Sequence, residues 1–178
     1  PTTVSLATNA DSLATWLLPA LQPVLKQYPV ELNLLVVNEA HSHKKIKDGE
    51  VFGAIGIEDK AQTGCHLHEL GKMKYVLVAS PEFNQQYFAR GINSESLTQA
   101  PGAAFDLKDD MHSNFLRQHF SLSPGDYPCH TVRSSEAFVD LAKRGLAYCL
   151  IAELQIEKEL AAGSLINILP DKYVEHTL

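Results

Sequence analysis

The chain has 178 residues, of which 45% are hydrophobic and 20% charged, and its formal net charge is −6. This composition is too apolar for a disordered protein and suffices for one mid-sized domain or two small lobes. Because the negative balance lacks the clustered basic face of a nucleic-acid-binding module, we expect no DNA binding by this segment. No apolar run approaches the ~20 residues of a membrane span and no signal-peptide pattern opens the chain, so we expect a cytoplasmic location without membrane contact.

The cysteines are odd in number and far apart in the sequence: Cys65, Cys129 and Cys149. A small secreted domain that is cross-linked by disulfides usually carries an even number of cysteines at closer spacing. We therefore expect reduced, partly buried thiols with no redox or metal role.

The first third of the chain alternates apolar runs with helical patterns. The apolar runs that predict strands are residues 4–8, 30–37 and 51–57. Between the first two, apolar residues at helical spacing predict an amphipathic helix, which Pro19 and Pro23 should kink or break. A second, polar helix is expected over residues 42–48, ended by Gly49. This alternation of strands and helices indicates βαβ units and a parallel sheet.

The rest of the chain repeats this alternation. The predicted strands are residues 75–79, 103–105, 131–132, 146–151 and 165–169, and the predicted helices begin at Pro81 or cover residues 110–120, 136–143 and 155–162. Ser80 before Pro81 is a typical helix start, and Gly145 and Gly163 are typical helix stops. We therefore expect two α/β lobes, residues 1–73 and 74–178, with a ligand cleft between them.

The usual signatures of catalysis are missing. The sequence has no Gly-x-Ser-x-Gly elbow, no P-loop and no Gly-x-Gly-x-x-Gly after a strand, so we expect no enzyme and no cofactor. The pairs His41-x-His43 and His66-x-His68 could each offer two imidazoles to a metal, but no cysteine or carboxylate lies at ligand spacing from them. We interpret these histidines as exposed polar positions.

Polar residues that follow the predicted strands are the candidates for ligand binding. Asp106 directly follows a strand, where cleft residues of α/β sheets lie, whereas Asp109 and Asp110 are expected to cap the next helix. The helix starts at residues 9–12 and 134–136 expose free N–H groups that suit a carboxylate, although every helix start needs such capping residues in any case.

Several strings spread over the whole chain carry a family resemblance. In the first lobe they are LLPAL at residues 17–21, YPV at 28–30 with Leu32 and Leu34, GEV at 49–51 and AI at 54–55. In the second lobe they are LVA at 77–79 with Pro81, residues 145–151, and EKELA at 157–161 followed by Gly163 and Leu165. These strings resemble the effector-binding domain of LysR-type transcriptional regulators. The resemblance implies an α/β fold of the periplasmic-binding-protein type 2, with two βαβ-type lobes and an effector held between them.

Longer strings resemble one branch of this family, the arginine/lysine-responsive branch of ArgP or LysG type. They are NADSLATWLLPAL at residues 9–21, AFD at 104–106 with DDMH at 109–112, PCH at 128–130, SSEAFV at 134–139 and LQIEKEL at 154–160. The resemblance implies an amino acid ligand, L-lysine or L-arginine. It places the ligand-binding residues at Asn9, Asp11, Ser12, Ser42, Asp106, Ser134 and Ser135, with Glu39 and Glu136 as weaker candidates. Asp106 is the preferred partner for a positive group, and which carboxylate meets which end of the ligand stays open.

The same resemblance implies partners beyond the ligand. Family members pair through the first helix of the first lobe, here the side carrying Trp16, Leu17 and Leu21, and through the second lobe, which predicts a homodimer or tetramer. DNA would be bound only by an upstream helix-turn-helix domain that this segment lacks, and return elements of the first lobe are expected after Leu178. The alternative function is an extracytoplasmic amino-acid-binding protein of a transporter, which shares the two-lobed architecture.

Overall fold

The computed structural model describes residues 2–106 and 110–178, and Asp109, predicted to cap a helix, lies outside the described residues. The chain divides into two compact units. The first comprises the residues up to Met73 together with His176–Leu178, and the second comprises Lys74–Glu175. None of the described helices has the length and apolar content that crossing a membrane would require.

The first unit is a parallel three-stranded sheet with its helices in the connections. In chain order its elements are β1 (Thr2–Thr8), α1 (Ala10–Ala14), α2 (Leu17–Gln27), β2 (Val30–Val36), α3 (Ser42–Lys47) and β3 (Gly53–Ala54). Strand β1 lies in the middle and pairs with β2 over its full length, from Thr2 opposite Val30 to Thr8 opposite Val36. On its other side β1 pairs with β3. The parallel sheet predicted from the alternation is confirmed for this unit.

The expected interruption of the first helix is present, but it lies before the prolines. The chain leaves helical geometry at Thr15, with φ −121° and ψ −81°, and α2 then continues through Pro23. Pro19 is the third residue of α2, where a backbone N–H has no partner inside the helix. A proline there breaks no hydrogen bond, which explains why it does not end the helix. The third predicted strand, residues 51–57, is shorter than expected, because only two residues pair with β1.

The second unit contains more helices and strands than the first, and its strands pair in both parallel and antiparallel directions. Its elements are β4 (Lys72–Ala79), which begins in the first unit, α4 (Pro81–Phe88), α5 (Ser94–Gln99), β5 (Gly102–Ala104), α6 (Asp110–Phe120), β6 (Cys129–Thr131), α7 (Ser135–Lys143), β7 (Cys149–Ala152), a 3₁₀ turn (Glu153–Gln155), α8 (Glu157–Ala162), β8 (Ile166–Asn167) and β9 (Tyr173–Thr177). The Ser80 hydroxyl accepts a hydrogen bond from the Phe83 N–H at 3.1 Å, which confirms the predicted start of α4.

The second unit differs from the first in the direction of its strands. Strand β4 is antiparallel to both β7 and β8, while β5 and β6 are parallel to each other. A bridge between Gly102 and Tyr148 joins the two sets of strands. Helix α5 and strand β9 were not predicted. The start of α5 carried a local signal, because Asn93 and Ser96 form a reciprocal capping box.

An apolar core lies between β4, β7 and the helices of the second unit. Val76, Val78 and Ile151 are at most 2% exposed, and Phe138 of α7 packs against them. Consecutive buried residues on β4 and β7 show that both faces of these strands are covered.

A histidine is buried in this unit beside two tyrosines. His112 is 4% exposed, its ring lies 5.6 Å from that of Tyr148 and 5.5 Å from that of Tyr127, and its Nε2 has no hydrogen-bond partner. Gly102 permits this packing, because a Cβ at that position would lie 2.7 Å from the imidazole Cε1. Burial lowers the pKa of His112 from 6.5 to about 4.

His112 should make the chain sensitive to acid. The unfolded chain binds a proton at this residue near pH 6.5 and the folded chain only near pH 4. The contribution of the neutral imidazole to the free energy of unfolding is therefore complete above pH 6.5 and is lost as the pH falls toward 4. We expect the free energy of unfolding to decrease by about 3 kcal/mol over this interval because of His112 alone. Urea denaturation at several pH values should show that His112→Gln removes this loss. The exposed His130 provides a control, and an equal effect of His130→Gln would contradict the assignment.

Candidate functional site

The carboxyl ends of β1, β2 and β3 meet at one edge of the first unit. The Val37 N–H donates to the Thr8 carbonyl and the Ile55 N–H to the Ala7 carbonyl, both at 2.9 Å, so the chain leaves all three strands side by side. Four of the predicted ligand-binding residues follow β1 or β2 at this edge and are buried there: Asn9, Ser12, Glu39 and Ser42. We call this group the polar edge of the first unit.

Asn9 is the residue of the polar edge whose hydrogen bonding is incomplete. It is 2% exposed, and neither its amide oxygen nor its amide nitrogen has a hydrogen-bond partner. It stands at the start of α1 but does not cap the helix with its side chain. Burying an amide without partners costs about 1 to 3 kcal/mol.

The two serines of the polar edge already have partners. The Ser12 hydroxyl accepts a hydrogen bond from Trp16 Nε1 at 3.1 Å, and the Ser42 hydroxyl donates to the Glu39 carbonyl at 3.1 Å. Gly56 lies so close to Ser42 that a Cβ there would stand 2.7 Å from its Oγ. Asp11 is partly buried and engaged in an interaction of its own. These contacts fix the backbone around Asn9.

Glu39, a weaker candidate from the sequence, is the buried charge of the polar edge. Its side chain is 9% exposed, and its Oε1 lies 3.1 Å from Nδ1 of His176. Burial alone would raise the pKa of Glu39, but hydrogen bonds from His176 and from its own backbone, the charge of His176 and the nearby Asn9 amide together lower it. The carboxylate is therefore ionised at neutral pH. No pattern in the sequence indicated His176 as its partner, which is 137 residues away along the chain.

Asp106, the preferred candidate in the second unit, is paired with Arg133. Its Oδ2 lies 3.4 Å from Nε of Arg133, and the Arg133 guanidinium stands 5.7 Å from the Phe105 ring centre. The Asp106 side chain is 24% exposed and that of Arg133 is 69% exposed. Strand β5 ends at Ala104, so Asp106 follows it by two residues instead of directly. The structure thus places a guanidinium against this carboxylate.

The serines before and in α7 lie where the sequence predicted a helix start. The Ser134 hydroxyl accepts from the Ala137 N–H at 3.1 Å, and it lies 3.3 Å from the carboxylate of the exposed Glu136. Ser135 is 2% exposed and engaged in an interaction. Ser134 therefore caps helix α7, as the alternative interpretation predicted. The other N–H groups of the first turn remain available at this end of the helix.

Three other histidines and Cys65 lie around a cavity of the first unit, whose wall also includes Ser42 of the polar edge. It has a volume of about 400 Å³ and is lined by α3, residues 54–62 and 65–70, and the last two residues. His43, His66 and His68 contribute to its wall, and His43 is paired with Glu58. Across residues 2–106 and 110–178, no three histidine, cysteine or acidic side chains are grouped as a metal site would require.

Comparison with known proteins gives matches along nearly the whole chain. The family model of the LysR substrate binding domain matches residues 2–178. The HTH-type transcriptional regulator ArgP of Aeromonas salmonicida is 52% identical over 174 residues, which are 98% of this chain and 58% of that protein. The chain therefore spans little more than half the length of such relatives.

Solved structures agree with these matches. The C-terminal domains of a LysR family protein from Agrobacterium tumefaciens are 30% identical with a TM-score of 0.92, over 99% of this chain and 85% of that one. Full-length LysG from Corynebacterium glutamicum with bound effector Arg is 30% identical with a TM-score of 0.85, over 99% of this chain and 59% of that one.

The incomplete hydrogen bonding of Asn9 leads to a stability prediction. Asn9→Ala removes a desolvated amide without removing a hydrogen bond, so we expect the free energy of unfolding to fall by less than about 0.5 kcal/mol or to rise. The matched variant Ser80→Ala removes a real helix cap and should cost about 1 kcal/mol. Chemical denaturation measures both values, and a loss at Asn9 as large as that at Ser80 would contradict the unpartnered state.

Proposed function

Since the chain belongs to the family of LysR substrate binding domains, we propose that it is the effector-binding part of an ArgP- or LysG-type transcriptional regulator. The resemblance and the periplasmic-binding-protein-like type 2 fold expected from the sequence are both confirmed by the family match and the solved structures. The effector we propose is a basic amino acid, L-arginine or L-lysine. LysG, which holds Arg as its effector, supports this ligand class.

The observation that carries the proposal is the buried, unpartnered amide of Asn9 next to the ionised carboxylate of Glu39. An amino acid brings an ammonium group, which donates, and a carboxylate, which accepts. The Asn9 oxygen and Glu39 can accept from the ammonium group, and the Asn9 nitrogen can donate to the carboxylate. We therefore assign the α-ammonium group to Glu39 and Asn9, with Asp11, Ser12 and Ser42 supporting this end of the ligand.

We assign the positive end of the ligand's side chain to Asp106. The Arg133 guanidinium beside Asp106 and Phe105 supports this assignment, because it meets a carboxylate and an aromatic face as a bound arginine would. Since Arg133 is largely exposed, little packing opposes its replacement. Ser134, Ser135 and the start of α7 are assigned to the α-carboxylate, with Glu136 as a peripheral acidic residue.

In this proposal the domain binds its ligand without chemical transformation, and it needs no cofactor or metal. The regulator acts in the cytoplasm, and its DNA contacts are made by another part of the longer protein, as the helix-turn-helix names of its relatives suggest.

Homo-oligomers form through helix α2. Leu17, on the side of the helix that was predicted to pair, is buried within its own unit. Leu18, Val24 and Tyr28 are 48%, 47% and 52% exposed and can contact a second copy of the chain.

Titration calorimetry with L-arginine and its neutral analogue L-citrulline tests the ligand assignment. We expect Asp106→Asn to weaken arginine binding about 30- to 1000-fold, because a desolvated charge pair is worth about 2 to 4 kcal/mol, and to weaken citrulline binding much less. Asp140→Asn is the matched control, since Asp140 is also paired with an arginine, Arg144, at 3.3 Å but is 65% exposed. It should change the arginine affinity by less than about threefold.

Two results would contradict the assignment. Equal losses for arginine and citrulline would remove Asp106 from the side-chain subsite and return that role to Asp11, Glu39 or Glu136. A wild-type domain that binds neither arginine nor lysine would contradict the proposed ligand class.

The proposed association through α2 predicts a concentration-dependent dimer. Leu18 and Leu25 are seven residues apart and so lie on one side of the helix, and both are exposed. We expect Leu18→Glu with Leu25→Glu to weaken self-association at least about tenfold, because two charges would have to be desolvated. Phe52→Glu, at an exposed aromatic residue of the first unit outside α2, should leave it unchanged. Sedimentation equilibrium measures both, and an unaffected dimer would exclude this surface.

A further inference from the structure

Glu39 and His176 form a pair at the polar edge of the first unit. Glu39 is nearly inaccessible, and Nδ1 of His176 lies 3.1 Å from its carboxylate. A carboxylate can accept about four hydrogen bonds, so this pair leaves acceptor capacity unused. The adjacent Asn9 amide also has unused capacity. Glu39 is thus a buried negative charge with one counter-group drawn from a distant part of the chain.

We propose that His176 is a specificity-determining residue of the effector site, which rests on the function proposed above: its imidazole holds the Glu39 carboxylate in the ligand-free protein and competes with the effector's ammonium group for it. The imidazole comes from β9, whose last residues return to the first unit. Its side chain is 23% exposed, so it can turn from Glu39 toward water without leaving a sealed cavity.

The charges around Glu39 determine the direction of the effect. Among the described residues, His176 is the charged group that lowers the pKa of the Glu39 carboxyl, while the nearby Asn9 amide and the Glu39 backbone act on it as neutral groups. Strand β9 pairs with β4, and the charged residues of these two strands are already engaged: Lys72 and Glu175 have interactions of their own, and Nζ of Lys74 lies 3.7 Å from the Glu153 carboxylate. An imidazolium cancels the charge that attracts the ligand, and a neutral imidazole leaves it in place. Basic amino acids should therefore bind more tightly at higher pH.

Titration calorimetry of L-arginine at about pH 5.5 and about pH 8 tests this inference. We expect binding to the wild-type chain to be about tenfold tighter at the higher pH, because one positive charge near the ligand is removed. His176→Gln keeps a neutral hydrogen-bond donor and should reduce the difference to less than about twofold. His130→Gln, at an exposed histidine of β6, is the control and should retain the full difference.

The outcomes separate this inference from the proposed function. A wild-type affinity that is equal at both pH values, or a His176→Gln variant that keeps the tenfold difference, would overturn the role of His176 while the arginine site stands. Absence of arginine and lysine binding to the wild type at both pH values would overturn the proposed function and this inference with it. If His176→Gln does not fold, the imidazole nitrogen resonances of the wild type decide instead. Added arginine should shift the His176 signal at about pH 8, and an unchanged signal would overturn the inference.

Discussion

The parallel pairing of β1 with both β2 and β3 is the constraint on which the polar edge depends. In a parallel sheet all strands end at the same edge, so the connections that follow them leave side by side. The full-length register between β1 and β2 aligns Thr8 with Val36 and thereby places Asn9 and Glu39 in neighbouring connections. A shift of one residue would turn the side chains of β1 to the opposite face and separate these groups.

Two of the candidate acidic residues, Glu39 and Asp106, show how burial decides the strength of an ion pair. Glu39 is almost removed from water, and only the combined hydrogen bonds and charge of its neighbours keep its pKa below the ordinary value. Asp106 is partly exposed and its partner Arg133 mostly so, which makes that pair weaker and easier to exchange. The first unit thus holds a nearly buried ion pair and the second a largely exposed one.

Local patterns in the sequence predicted what local forces decide. The start of α4 followed from Ser80 and Pro81, and the end of α8 followed from Gly163, which has a φ of +76°. Strand direction was not predictable in the second unit, because the apolar run of β4 is the same whether its neighbours are parallel or antiparallel. The candidate site residues came from the strand ends, the helix starts and the family resemblance, but their partners did not. Arg133 and His176 reach Asp106 and Glu39 through tertiary contacts that no spacing in the sequence records.

The junction of α1 and α2 gives the polar edge an optical property. The chain has a single tryptophan, Trp16, and its indole Nε1 donates to the hydroxyl of Ser12, the buried serine three residues after Asn9. Indole emission depends on the polarity and hydrogen bonding around the ring, and no second indole contributes to the signal. The intrinsic fluorescence of this protein therefore comes from a position one hydrogen bond away from the polar edge, and a molecule seated there changes the surroundings of its fluorophore without any attached dye.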